Sequence, residues 1–369
     1  MIPRIDRIDL RDRDTAGLSR VSLSGVLPRA TLDVAAAAEQ IRPVCDDVRQ
    51  RGAAAVREYT ARFDGVDLET TRVPPEALDA ALSALDPAVA RALEEAARRA
   101  RLVHEAQLPP AENTVSPADG LTVTARYVPV SRAGVYVPGG LVAYPSSVVM
   151  NVVPAQVAGV PSVAVASPPR ADQGGLPHPA VLAACALLGV DEVHAVGGAQ
   201  ALAMFAYGTD VCAPADVLTG PGNVYVAAAS TRHAGRVAEA LAGQSACVLV
   251  DDIAAAIAVA DAWAPEHLEV QTRDAAAVAR RIRNAGAIFV GPWAPVSLGD
   301  YLAGSNHVLP TGGTARHAAG LTVLPFLKLV NVIECSREGL AGAAPFIDAL
   351  GGEEQLAAHV AAVRVRVPK

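Results

Sequence analysis

Aromatic side chains are scarce in this chain: two Trp, seven Tyr and five Phe among 369 residues. A core with so few large rings must be filled largely by Ala and Val. That composition suits helices packed closely on a parallel sheet buried on both faces. Cysteine is scarce too, and its five positions (45, 185, 212, 247 and 335) contain no C-x-x-C pair. An odd, unpatterned set argues against a disulfide framework and against a structural zinc knuckle. No long run of Lys and Arg occurs and the formal net charge is −7, so nucleic acid is not expected as a partner. Long apolar runs are missing as well. The longest tract, "LVAYPSSVVMNVVPAQVAGVPSVAVAS", is interrupted by three prolines and does not read as a membrane-spanning helix. The first residues, "MIPRIDRIDLRDRD", are charged throughout and lack the apolar centre of a secretory signal. A cytoplasmic protein of two domains is the expectation for this length.

What is present reads as alternating helix and strand. Residues 33–63 and about 75–107 read as helical stretches, the second with Pro and Asp breaks. At 122–137 the period changes to alternation with β-branched residues. Three strand–glycine–helix units then follow one another from about 126 to 244, which predicts an open parallel α/β sheet. "SACVLVDD" (245–252) and "AGAIFVG" read as further strands, and the chain from 336 onward as helical and charged. The fold class expected is α/β, with two Rossmann-like open parallel-sheet domains between helical N-terminal and C-terminal extensions. The segments are 1–125, a helical region contributing to the first α/β domain; 126–244, an inserted Rossmann-like domain; 245–335, the remainder of the first domain; and 336–369, a helical tail.

The usual dinucleotide fingerprint, G-x-G-x-x-G, does not occur. Three other glycine turns close apparent strands: "YVPGG" (136–140), "VGGAQ" (196–200) and "TGPGN" (219–223). Ligands of open α/β sheets sit beyond the carboxyl ends of the strands, often at helix N-termini. One glycine turn alone more often marks tight geometry; three together, carrying Tyr136, Gln200 and Asn223, point to a ligand. In "WAPEHLEVQT" (263–272) a Glu and a His stand side by side after a proline. Pro265 and Glu266 suit the start of a helix, and the stretch after the proline reads as helix or strand. Glu266 and His267 also make two proton handlers opening into one cleft. In "GDYLAGSNHVLPTGG" (299–313), Asp300 and His307 flank a glycine turn, although an Asp there is more often a turn cap. Glu354 and His359 lie five apart and so do not share ideal helix-face spacing.

The motifs "RAGVYVPGG", "PSSVVMNVVPAQVAGV", "VGGAQALAMFAYGT", "GPGNVYV", "APEHLEVQT", "SLGDYLAGSNHVLPT" and "AAHVAAVRVR" together resemble the histidinol dehydrogenase family, in that family's order, from about residue 30 to the C-terminus. The resemblance implies a zinc- and NAD-dependent homodimer of histidine biosynthesis that oxidises L-histidinol to L-histidine through the aldehyde with two NAD+. It implies His267 as the base for the alcohol proton and Glu266 as the base that activates water. Tyr136, Gln200 and Asn223 match NAD-contacting positions. Ser245, His267, Asp300, Glu354 and His359 match substrate-contacting positions, and Asp300 and His359 also match two of four zinc ligands. The tail is implied to complete the partner subunit's active site.

The chain departs from the family's pattern at one place. Members run about sixty residues longer, a difference that a two-domain chain accommodates. Here "LAGQSA" (241–246) runs straight into "CVLVDD" (247–252), and the Q-A-E-H segment that carries the other two zinc ligands is absent. Zinc typically takes four ligands, or three plus water or substrate. A reduced sheet, a more open cleft and an impaired or rebuilt metal site are therefore expected, with His307, His317 and Gln271 as the candidate replacements. Two alternatives stand beside histidinol oxidation: a metal-independent paralogue acting on a different amino alcohol or hydroxy compound, and a non-catalytic dimeric binding protein.

Overall fold

The structure is a computed structural model that describes residues 5–13, 18, 20–23, 25–28, 34–139, 143–221, 243 and 245–367. In chain order the elements are β1 (Asp6–Asp9), α1 (Arg20–Leu23), α2 (Val34–Arg51), α3 (Ala53–Asp64), α4 (Pro75–Ser83), α5 (Pro87–Glu105), β2 (Glu112–Ala118), β3 (Leu121–Pro129), β4 (Ala133–Tyr136), α6 (Pro145–Val157), β5 (Val163–Ser167), α7 (Pro179–Leu187), β6 (Glu192–Ala195), α8 (Gly198–Tyr207), β7 (Val217–Thr219) and β8 (Ala246–Leu249). They continue with α9 (Ile253–Trp263), β9 (His267–Val270), α10 (Ala275–Ala279), β10 (Ala287–Val290), α11 (Val296–Tyr301), β11 (Leu327–Cys335), α12 (Arg337–Glu353) and α13 (Ala357–Arg364). Compactness divides the chain into two units: Met1–Gln107 with Ser131–Phe326, and Leu108–Val130 with Leu327–Lys369.

The first unit is built on a four-stranded parallel sheet of order β6-β5-β4-β7. Alternation along each strand feeds two helical layers. Val135, Val165 and Val193 face a core shared with α4–α7. Ala164 and Ala166 face a second core filled by Met204 and Phe205 of α8, Val48 of α2, and Ala55 and Val56 of α3. From β4 the chain steps outward through β5 to β6, then crosses back to place β7 on the other side of β4. That reversal is the point where open α/β sheets form a ligand crevice at their carboxyl ends. Two further parallel pairs, β1–β8 and β9–β10, belong to the same unit. The expected α/β class with parallel sheets is thus present, and among the described residues these two pairs are separate two-stranded sheets.

The second unit is an antiparallel sheet, β11-β3-β2, followed by two helices. Strand β2 shifts register between Val115 and Ala118, around Pro117, which has no N–H to give the ladder. Ser336 caps α12 by accepting from the Gly339 N–H at 3.0 Å.

Several local expectations change. The helix read over 33–63 is two helices, because Gly52 adopts φ 59° between them, a conformation that glycine takes at no steric cost. The C-terminal helix is likewise split, with Gln355 at φ 57° between α12 and α13. Strands β1, β2 and β11 lie where the sequence reading assigned none; each of the last two mixes polar residues into its alternation. The helix expected after "TGPGN" lies outside the described residues, as does Asn223.

Gly134, central in β4, is the sheet's tightest demand on side-chain size. A β-carbon there would stand 2.8 Å from Leu218 Cδ2 and 2.8 Å from Phe205 Cγ. Gly134→Val is expected to lower the unfolding free energy by about 1–3 kcal/mol, the usual cost of overpacking. Urea titration checks this; a wild-type midpoint would show that the α8 layer gives way without cost.

Candidate active site

Helix α9 ends at Ala264, a fully buried residue held at φ 51°. This left-handed turn costs a non-glycine residue about 1–2 kcal/mol. It redirects the chain into β9 rather than into a helix. Of the two readings open for this stretch, helix or strand, the structure takes the strand: His267 opens β9, and Glu266 immediately precedes it. The Glu266 carbonyl accepts from the Ala287 N–H at 2.9 Å, and the Pro265 carbonyl from the Gly286 N–H at 2.9 Å. Parallel register then sets His267 opposite Ala287.

That pairing brings the His267 ring against Phe289, with centroids 5.9 Å apart and planes 27° apart. Phe289 in turn lies against α11, where a β-carbon on Gly299 would stand 2.6 Å from the ring. The residue after Gly299 is Asp300, and its Oδ1 lies 3.5 Å from His267 Nε2. Glu266 Oε1 lies 4.0 Å from His267 Nδ1. The result is an imidazole between two carboxylates, with His267 Nε2 at ion-pair distance from Asp300 but without an aligned hydrogen bond. Burial pushes the Glu266 carboxyl above the usual carboxylate range; the His267 charge opposes this and the Asp300 charge adds to it.

His307 buttresses Asp300 from behind. Its Nδ1 lies 2.9 Å from the Asp300 carbonyl, which fixes Nδ1 as the donor, and its Nε2 lies 3.4 Å from Ser147 Oγ. Asn306 holds that loop: its amide donates to the Met150 carbonyl at 2.6 Å and reaches His104 Nε2 at 3.3 Å. Phe289, Gly299, Ser147 and Asn306 were not singled out in the sequence. Ordinary core residues carry no sequence signal for such a role.

Tyr136 and Gln200 meet elsewhere in the same unit, at the carboxyl ends of β4 and β6. The Gly198 N–H donates to Tyr136 Oη at 3.3 Å, and burial holds the Tyr136 phenol above its ordinary range. Gly198 sits at φ 61°. Gln200 is 1% exposed, yet neither polar atom of its amide has a partner among the described residues. Buried amides are almost always satisfied, so this crevice fits a polar ligand such as the dinucleotide that the family resemblance implies. Ser245 is half-buried just before β8, whereas Glu354 and His359 are exposed in the second unit.

The zinc that the resemblance implies finds no matching donor set among the described residues. Among the described residues, no three His, Cys, Asp or Glu side chains converge at Asp300. His307 has spent both ring nitrogens, Gln271 donates its amide to the Gly291 carbonyl at 3.2 Å, and His317 is exposed. One trio does converge: Glu192, His194 and Cys212, within 4.8 Å of one another. Arg132 already occupies it, at 2.8 and 2.5 Å from the two Glu192 oxygens and 3.7 Å from Cys212 Sγ. Arg72 adds a second cation at 3.5 Å. Burial raises the Cys212 thiol to about 11. Burial also works against the Glu192 charge, but hydrogen bonds from His194 and Arg132 outweigh it and hold that carboxyl at about 2. Two guanidinium groups beside a protonated thiol make a structural ion network, not a metal site.

A parallel α/β sheet with an unsatisfied polar crevice, together with a carboxylate–imidazole–carboxylate row, fits an α/β oxidoreductase that moves hydride and protons. Sequence comparison makes the class particular: the chain belongs to the histidinol dehydrogenase family, whose model matches residues 27–238 and 230–367. A histidinol dehydrogenase of Thermobifida fusca is 50% identical, covering 99% of this chain and 98% of that protein. One from Streptomyces avermitilis is 48% identical, with 98% of each chain covered. The crystal structure of histidinol dehydrogenase from Elizabethkingia anophelis shares the fold at TM-score 0.86 and 23% identity, covering 99% of this chain and 98% of that one. The alignment with the Thermobifida protein spans 436 positions against the 369 residues here, so at least 67 positions have no counterpart in this chain. The family match breaks into two pieces that overlap at 230–238, next to the "LAGQSA" junction from which the Q-A-E-H segment is missing.

Arg132→Met would strip the half-buried Glu192 of its two-pronged guanidinium partner and leave only Arg72, at 3.5 Å. A loss of about 1.5–3 kcal/mol at pH 7 is expected, the scale of hydrogen bonds to a charged group. Urea unfolding reads it, and a loss under about 1 kcal/mol would place Arg132 outside the stabilising network.

Proposed function

We propose that the chain is an NAD-dependent dehydrogenase that oxidises L-histidinol to L-histidine by way of the aldehyde, with Glu266 and His267 as its two bases. The observation that carries this reading is the row Glu266–His267–Asp300, with the imidazole 3.5 and 4.0 Å from the two carboxylates. Bound NAD+ supplies the hydride acceptor in both oxidations, and Tyr136, Gln200 and Asn223 are the residues proposed to hold it. In the first step His267 takes the hydroxyl proton as the carbinol hydride departs, leaving the aldehyde. Imidazole suits this task because it exchanges protons near neutrality. In the second step Glu266 takes a proton from water as its oxygen bonds to the aldehyde carbon. The hydrate then loses a second hydride and its remaining hydroxyl proton, leaving the carboxylate.

Two carboxylates around one imidazole also favour a cationic substrate. In this reading Asp300 receives the ammonium group of the amino alcohol, the role open to a carboxylate that no zinc engages. Ser245, Glu354 and His359 are proposed as further substrate contacts, the last two reaching a partner's site in a homodimer. In the second unit Ile333, Phe346, Leu350 and Val365 are each 67–81% exposed, apolar surface that association would cover. No described helix is long and apolar enough to cross a membrane, and all five cysteines are free. Both features agree with a place in the reducing cytoplasm.

The test is NADH formation from L-histidinol and NAD+ by protein assayed with EDTA and, separately, with added zinc. Turnover that EDTA leaves unchanged is expected. Turnover that requires zinc would overturn the metal-free anchoring, and no turnover with NAD+ still binding would turn the reading to a different amino alcohol. In kcat against pH, the acid limb set by Glu266 should lie above the ordinary carboxylate range, since burial raises its pKa and only the ionised form accepts a proton. Glu266→Gln should slow turnover by about 10²–10⁴ and remove that limb; a retained limb would assign it to another group.

A further inference from the structure

Asp64 is the last residue of α3, followed by Gly65 in the left-handed conformation. A carboxylate there faces the negative end of the helix dipole. Burial pushes this carboxyl up to about 6, with no basic side chain offsetting the cost. Its Oδ2 is buried and has no hydrogen-bond partner among the described residues. Its Oδ1 stands 3.3 Å from where a β-carbon on Gly197 would be, so the carboxylate borders the turn between β6 and α8. Across that turn Gln200 folds its buried, unpartnered amide back to 2.8 Å from the corresponding point on Gly198. Tyr136 Oη meets the Gly198 N–H at the same turn. Nothing in the fold gains from leaving an acid uncompensated at this point, and such costs concentrate where function demands them.

The chemistry of the missing partner follows from what the crevice lacks. An ionised carboxylate only accepts hydrogen bonds. A phosphate brings acceptors and negative charge, so it is repelled from this side of the turn. A vicinal diol brings two O–H donors and no charge. We infer that Asp64 accepts the hydroxyls of the adenosine ribose of the bound dinucleotide, and so makes the crevice selective for a free 2′-hydroxyl over a 2′-phosphate. An acidic side chain does the same work at the strand ends of other α/β dinucleotide sites. The inference rests on the reading of this chain as a nicotinamide dinucleotide enzyme.

Binding separates the two without any need for turnover. NADH and NADPH are titrated by fluorescence into the wild-type protein, Asp64→Asn and Asp64→Ser. Wild type should prefer NADH. Both variants should bind NADH about 10–100-fold more weakly, the scale of hydrogen bonds to a charged group, while NADPH binding tightens and the preference narrows or inverts. The melting temperature of Asp64→Asn at neutral pH should equal or exceed that of wild type, since an uncompensated buried charge is gone, and this separates lost recognition from lost folding. Parallel weakening of both dinucleotides, an unchanged ratio, or a wild-type preference for NADPH would overturn the inference while leaving the dinucleotide reading intact. Wild-type protein that binds neither would overturn that reading, and this inference with it.

Discussion

The backbone pairing of β9 with β10 is the constraint on which the candidate active site depends. It sets the strand that begins at His267 against the strand that carries Phe289, and the stacked rings hand the imidazole to α11 and Asp300. Upstream, the buried left-handed turn at Ala264 delivers Glu266 to the head of the same strand. Three elements therefore converge on one ring. Removing one backbone pairing would misplace both bases together.

Electrostatics gives this arrangement its direction. Burial pushes the Glu266 carboxyl up; the His267 charge opposes this and the Asp300 charge adds to it by repulsion. A cationic substrate relieves that repulsion, whereas a neutral or anionic one does not. The other concentration of charge pairs Glu192 with two guanidinium groups, Arg132 and Arg72, and ties together the amino-terminal ends of β4 and β6.

Much of the fold was legible in the sequence because strand, glycine and helix alternate clearly between 126 and 221, and the parallel sheet follows from that order. The pairing of acid and imidazole was legible as well, since Glu266, His267 and Asp300 sit in distinctive motifs. Their local structure was not. Pro265 followed by Glu266 carries the signature of a helix start, and only the tertiary pairing with Gly286 and Ala287 makes a strand of it. Strand β11 was hidden because its "LKLVNVIEC" alternation acquires meaning only beside β3. Asp64 gave no signal, because an acid at the end of a surface-patterned helix reads as ordinary until its burial is seen.

The central claim is that Glu266 and His267 divide two successive oxidations at one carbon. The most direct measurement is the yield of NADH per molecule of L-histidinol in single-turnover reactions of the wild-type protein and of Glu266→Gln, with the organic product identified. Two NADH and the carboxylate are predicted for wild type. One NADH and the aldehyde are predicted for the variant, because its alcohol step retains His267 while its aldehyde step has lost the base for water. A yield of two NADH from Glu266→Gln, or of none, would contradict the division of labour between the two residues.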